Sequence, residues 1–322
     1  MGRLEGPGKV DARLLNLFIL CAPNTIVEAV MVENVVKRFG SFTALDSVSF
    51  SIGRGEIFGL LGHNGAGKST LISIISLISK PTSGAVSVFG KKDRSLIGLA
   101  PQENAVYADL TCLENVVHFA RLYGVKNPVI VAAHLLSVLG LEGKAEARAR
   151  DLSGGMRRRL NLACSMVYNP KLLILDEPTA GLDPIARRAL WKTIKDVRKE
   201  GITILLTTHY MDEAEHLCDR VAILDSGRLI DVDTPARLKR KTLHSVVTIE
   251  LSKAPTRAEL KSLSIHPEDK VHHSGNTITI ECNEPERVIP LASRIFGEGI
   301  AQINVNNPTL EDLFMKMAEV KR

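Results

Sequence analysis

EIFGLLGHNGAGKSTLISII, residues 56–75, joins an apolar stretch (Ile57, Phe58, Leu60, Leu61) through a glycine-rich loop to a segment whose Leu71, Ile72, Ile74 and Ile75 share one helical face. Gly62, Gly67, Lys68 and Ser69 satisfy the spacing G-x-x-x-x-G-K-[ST], with Asn64, Gly65 and Ala66 between them. The strand–loop–helix context is the one that this motif requires. Glycines let successive backbone N–H groups turn inward round an anion, and the helix N-terminus adds its positive end. In such a loop the lysine reaches the β- and γ-phosphates and the following hydroxyl, here Ser69, holds Mg²⁺. The stretch predicts a nucleoside triphosphate site.

Around it lie 322 residues, enough for about two domains with full cores. Of the formal charge of +5, residues 1–30 net zero and residues 241–322 net −1, so the middle of the chain holds +6. That modest excess suits a polyanion such as ATP and lacks the clustered basic footprint of a DNA-binding domain. The five cysteines are far apart with no C-x-x-C pair, so they read as free thiols in a reducing compartment. No run of 18 apolar residues occurs, so the chain is not expected to span a membrane by itself.

Residues 1–30 carry Arg13 followed by LLNLFILCA, superficially a short signal sequence. Export would place a nucleotide site where ATP is scarce. The segment therefore reads as an extension outside the fold, disordered or the product of an over-long gene start. From Met31 the pattern is β, through MVENVVKRF to VSFSI, whose Val48, Phe50 and Ile52 alternate with serines. Phe39, between these strands, is a candidate platform for the adenine ring, although an aromatic at a strand end is more often core. Beyond the loop come AVSVFG (85–90) and LIGLAPQ (96–102), the latter ending at Gln102, and then a helical stretch over 111–168. Thr111 and Glu114 form a capping box there, and Asn127–Leu139 reads as apolar on one face.

LSGGM (152–156) is a second glycine turn before a helix, hence a second anion-binding N-terminus, though taken alone an ordinary N-cap serine before an amphipathic helix is the better reading. Arg157, Arg158 and Arg159 follow, and a solvated face explains them equally well. LLILDEP (172–178) is an apolar strand buried on both faces of a parallel sheet, which carries Asp176 and Glu177 to its C-terminal tip. Asp183-Pro184 starts a helix as N-cap and first-turn proline, and the strand TILLTTH (203–209) delivers His209 to the same sheet edge. Residues 246–322 restart as β-α-β-β-α-β plus a helix, the order of a split βαβ sandwich.

In this order the motifs resemble the nucleotide-binding subunit of ATP-binding cassette (ABC) transporters, over roughly residues 31–241. The matching parts are the aromatic at Phe39, the Walker A loop at 62–70 and the Q-loop glutamine Gln102. The signature LSGGM, Walker B at 172–177, the D-loop AGLD ending at Asp183 and the switch histidine His209 also match. Met156 stands where glutamine is common, and His63 where proline is common. With ARLYG (Ala120–Gly124) and PTLEDLF (Pro308–Phe314), these resemble the branch that exports drugs, lipids or polysaccharides.

The resemblance implies an α/β P-loop NTPase fold with an antiparallel β subdomain, a helical insert at about 104–168 and a small C-terminal α+β domain at 242–322. It implies a dimer of two copies, each ATP held between one copy's Walker A loop (Gly62, Asn64, Gly65, Gly67, Lys68, Ser69, Thr70) and the other's Ser153, Gly154 and Gly155. Ser69, Asp176 and Gln102 then arrange Mg²⁺, Glu177 polarises the attacking water, His209 stabilises the γ-phosphate, and Asp183 lies in the D-loop beside the nucleotide. A separate membrane permease would place the chain on the cytoplasmic face of the membrane, with ATP and Mg²⁺ as cofactors and no nucleic acid as partner. The alternative is a soluble ABC ATPase acting on nucleic acid or ribosomes, disfavoured because the chain has one cassette and no room for long coiled coils. A nucleotide sensor without turnover is disfavoured by the presence of both Glu177 and His209.

Overall fold

The computed structural model describes residues 28–103, 105–263, 266 and 269–319. The extension expected before the fold lies outside these residues except for its last three, and there the boundary is corrected. Strand β1 begins at Glu28 and runs to Phe39; Ala29 and Val30 are buried, and Val30 pairs with Ile52 on one side and Val88 on the other. β1 lies between β2 (Phe42–Gly53) and β4 (Ser83–Val88) in a three-stranded antiparallel sheet, the expected β subdomain.

The second sheet holds β5 (Ile97–Ala100), β6 (Leu172–Asp176), β7 (Thr203–Thr208), β3 (Ile57–Leu61), β8 (Arg220–Asp225) and β9 (Arg228–Asp233), in that order. The pairs from β5 to β8 are parallel and β9 is antiparallel. β3 is buried along its whole length, as are the first four residues of β6, which is why both read as unbroken apolar runs. The order places β6 and β3 on either side of β7, so the loops leaving their C-terminal ends converge on one edge.

Helix α1 (Lys68–Ile75) follows the glycine loop. The insert contains α2 (Cys112–Leu122), α3 (Pro128–Val138) and α4 (Gly154–Met166). The Thr111–Glu114 capping box forms, with Glu114 N donating to Thr111 Oγ1 at 3.1 Å and Thr111 N to Glu114 Oε2 at 2.8 Å. α3 is not amphipathic as expected: Ala132, Leu135 and Leu136 are buried, but Val129 and Ile130 are also apolar and are exposed. α5 (Pro184–Lys199) and α6 (Met211–Leu217) pack beside the parallel sheet, and α7 (Pro235–Thr242) follows β9.

The C-terminal elements are β10 (Ser245–Leu251), α8 (Arg257–Ser262), β11 (Lys270–Ser274), β12 (Thr277–Cys282), α9 (Pro285–Phe296), β13 (Ile300–Asn306) and α10 (Leu310–Glu319). The sheet order β11-β12-β10-β13, antiparallel throughout, is that of a split βαβ unit with its own core of Val247, Ile249, Ile278, Ile280, Val288 and Ala292. The last helix departs from the expected division. Leu310 and Leu313 are buried in the core of the ATP-site domain, not in that of the C-terminal sheet.

Candidate functional site

The glycine loop is shaped by contacts that admit no side chain. A Cβ on Gly62 would stand 2.4 Å from the carbonyl oxygen of Leu224. Gly67 caps α1 at φ 106°, a left-handed backbone natural only to glycine, with Ala44 O 2.8 Å from where its Cβ would be. His63, in place of the common proline, braces the loop: its Nε2 lies 2.9 Å from Asp225 Oδ1 and its Nδ1 2.7 Å from Asn64 O. Asn64, Gly65 and Ser69 are exposed, while Lys68 is buried with its Nζ donating to Gly62 O at 2.7 Å and His63 O at 3.2 Å.

At the tip of β6, Asp176 accepts from the hydroxyl of Thr207 on the neighbouring β7. The next residue, Glu177, adopts φ 45°, a left-handed conformation unusual for a glutamate. Its N–H is pinned by both the carbonyl and the hydroxyl oxygen of Thr207, each at 3.1 Å. That turn aims the buried carboxylate at three side chains. Gln102 Nε2 donates to Oε2 at 3.2 Å, His209 Nδ1 lies 3.2 Å from the same oxygen, and Lys68 Nζ stands 3.9 Å from Oε1. Burial lowers the pKa of Lys68, an effect opposed by the charges of Glu177 and Asp176. The ammonium is thus desolvated yet kept beside two carboxylates, ready to trade them for a phosphate of greater charge density.

Four elements that are distant in sequence thus deliver Lys68, Gln102, Glu177 and His209 to one point. Gln102 lies two residues past the end of β5, in a loop and not at the strand terminus that the sequence suggested. Phe39 ends β1 at a hairpin tip and is 56% exposed, free of the core. Phe42, directly across the hairpin and 64% exposed, was not singled out from sequence. Asp183 is the N-cap of α5, its Oδ1 accepting from Ile185 N and Ala186 N, both at 2.9 Å. Ser153 caps α4 by accepting from Met156 N at 3.3 Å; it and Gly154 are exposed, and a Cβ on Gly154 or Gly155 would press on Leu182 or Ala186. Thr207 also escaped sequence reading, because a threonine in an apolar strand carries no distinguishing pattern.

This geometry has close relatives. The family described as "ABC transporter" matches residues 45–180. The chain is 36% identical over 304 residues to the linearmycin resistance ATP-binding protein of Bacillus subtilis, covering 88% of this chain and 96% of that protein. It is 38% identical over 298 residues to the Nod factor export ATP-binding protein I of Sinorhizobium fredii, covering 90% of this chain and 85% of that protein. It belongs to the ABC transporter ATPase family. Among solved structures, a part of an ABC transporter complex from Clostridium perfringens superposes with TM-score 0.62 at 31% identity, over 66% of this chain and 90% of that one. An ATP-binding cassette of an ABC transporter in its ADP conformation superposes with TM-score 0.59 at 28% identity, over 64% and 91%. This ABC ATPase binds ATP and hydrolyses it to drive transport. Among the described residues, no helix is long and apolar enough to cross a membrane.

Proposed function

We propose that this ABC ATPase powers an exporter, closing as a head-to-tail homodimer over two ATP molecules beneath a separate membrane permease on the cytoplasmic side. The observation that carries the reading is the convergence of Lys68, Gln102 and His209 on Glu177, while the signature at Ser153 and Gly154 stays exposed for a second copy to use. A relative named for Nod factor export supports the direction of transport.

In this reading the amides of Gly62–Thr70, among them Asn64, Gly65 and Gly67, bind the phosphates with Lys68, and Phe39 stacks on adenine. Ser69, Asp176 and Gln102 offer a hydroxyl, a carboxylate and an amide oxygen, hard donors that suit Mg²⁺ together with phosphate and water. When bound, that ion neutralises charge on the transferred group. Glu177 holds and polarises the attacking water, and His209, beside it, donates to the γ-phosphoryl oxygens. Ser153, Gly154 and Gly155 of the second copy cap the same phosphate, with Asp183 of the D-loop near the shared boundary. Positioning and charge account for most of the rate in such transfers. For the permease, the groove of about 610 Å³ beside the Gln102 loop offers a seat of mixed character, in which Ile78, Leu99, Phe119 and Tyr123 stand beside Arg94, Ser95 and Asn161.

Two measurements test this reading. Lys68→Ala and Ser153→Arg chains are each expected to be inactive alone and to regain ATPase activity when mixed, since one of the two sites is then whole. Mixed dimers without activity would refute the shared site or demand strict coupling of both. Purification from detergent-solubilised membranes is expected to bring down an integral membrane protein; ribosomes or nucleic acid instead would overturn the transport partner.

A further inference from the structure

The three arginines after the signature do not form a solvated face. All are half-buried, and the structure sends two of them in different directions. Arg159 Nη1 donates to Leu139 O and Gly140 O, both at 3.1 Å, the carbonyls that end α3. Arg158 turns toward the nucleotide side. Its Nη1 donates to the backbone carbonyl of Gln102, and its Nη2 to that of Ala180 at 3.4 Å.

Both residues also contact Glu177 through other atoms. Gln102 contacts the Glu177 carboxylate through its side chain, and Ala180 N donates to the carbonyl of Glu177 at 3.2 Å. One turn further along α4, buried Asn161 donates to Pro101 O at 3.3 Å and accepts from Ala105 N at 3.4 Å, gripping the loop on both sides of Gln102. The helix that opens with the exposed signature is therefore tied by Arg158 to both backbone segments flanking the glutamate of its own chain. A planar guanidinium can hold two divergent carbonyls at once, which a single ammonium on a flexible stem does poorly.

We propose that Arg158 is a positioning residue for hydrolysis: it sits on the helix that caps the second copy's ATP, yet sets Gln102 and the 177–180 turn in its own chain. This rests on the head-to-tail dimer proposed above. In the site of its own chain, Lys68 and the loop amides that hold the phosphates lie on other elements, so loss of Arg158 there acts on kcat and spares KM.

The mixed dimer separates the possibilities. With Lys68→Ala in one chain and Ser153→Arg in the other, the single whole site uses Glu177 of the Ser153→Arg chain and the signature of the Lys68→Ala chain. Arg158→Gln added to the Ser153→Arg chain is expected to lower the rescued kcat by about 10–100-fold, the scale of a displaced catalytic group. Added to the Lys68→Ala chain it is expected to cost about tenfold less than that. The reverse order, or equal losses, would show that Arg158 merely supports the signature helix and would overturn the proposal. If no rescue occurs even with Arg158 intact, either the shared site has failed or its two sites are strictly coupled. The homodimer then decides on Arg158 alone. Arg158→Gln with wild-type kcat, or with a raised KM and unchanged kcat, overturns the proposal; a lowered kcat at unchanged KM, only partly restored by Arg158→Lys, supports it.

Discussion

Leu310 donates its backbone N–H to Glu215 Oε1 at 2.6 Å. Glu215 lies on α6, the helix that begins two residues after His209, and its other oxygen accepts from Lys239 of α7 at 2.9 Å. The chain thus leaves the ATP-site domain after α7, builds the C-terminal sheet, and returns α10 to the helix next to the switch histidine. Buried Leu310 and Leu313 complete that return. Leu313→Ala is expected to destabilise the chain by about 2–4 kcal/mol. A chain ending at Lys241 should likewise melt lower, as well as losing any part that the C-terminal sheet plays in assembly. Denaturant titration followed by tryptophan fluorescence checks this, since Trp191 packs on His216 of the same helix.

Glu177→Gln should preserve ATP affinity, because Lys68 and the loop amides carry the phosphates. It should lower turnover by about 10²–10⁴-fold, the usual scale for a lost general base. The nucleotide-bound dimer should accumulate, visible by light scattering, whereas Lys68→Ala should fail to bind ATP in equilibrium dialysis. Near-normal steady-state turnover in Glu177→Gln would remove its assignment to the water.

Glu213 is fully buried, its Oε1 accepting from Trp191 Nε1 at 3.2 Å, and burial raises its pKa above the ordinary carboxylate value. The sign follows from linkage. The fold prefers the protonated acid, so its stabilising contribution is complete below the unfolded pKa and is lost as pH rises through the elevated folded value. Glu213→Gln, uncharged at every pH, should therefore melt higher than wild type at pH 8 and lose that advantage near pH 4. A wild-type melting temperature that tracks the variant across this range would contradict the assignment.

The domain edge yields a prediction at the N-terminus. A chain beginning at Glu28 should match the full chain in melting temperature. One beginning at Met31 should be less stable by about 2–3 kcal/mol, because it loses the burial of Ala29 and Val30 in β1. Equal stability of the two would show that those pairings contribute little.

The local grammar of this protein was written in its sequence. The glycine loop, the apolar strands β3 and β6, the caps at Thr111, Ser153 and Asp183, and the split βαβ order all depend on neighbours within a few residues, where spacing and residue type decide the backbone. The residues of the site were legible too, because they open a helix, end a strand or follow one within two residues, as Gln102 does after β5. What only the tertiary structure decided was which groups meet across the chain. That Thr207 pins Glu177, that Arg158 grips Gln102 and Ala180, and that α10 crosses to Glu215 depend on the order of strands in the sheet and on the path of a returning helix. An arginine's long stem lets it serve water or a buried carbonyl equally well. The choice between them is made by which backbone carbonyls the fold brings within its reach.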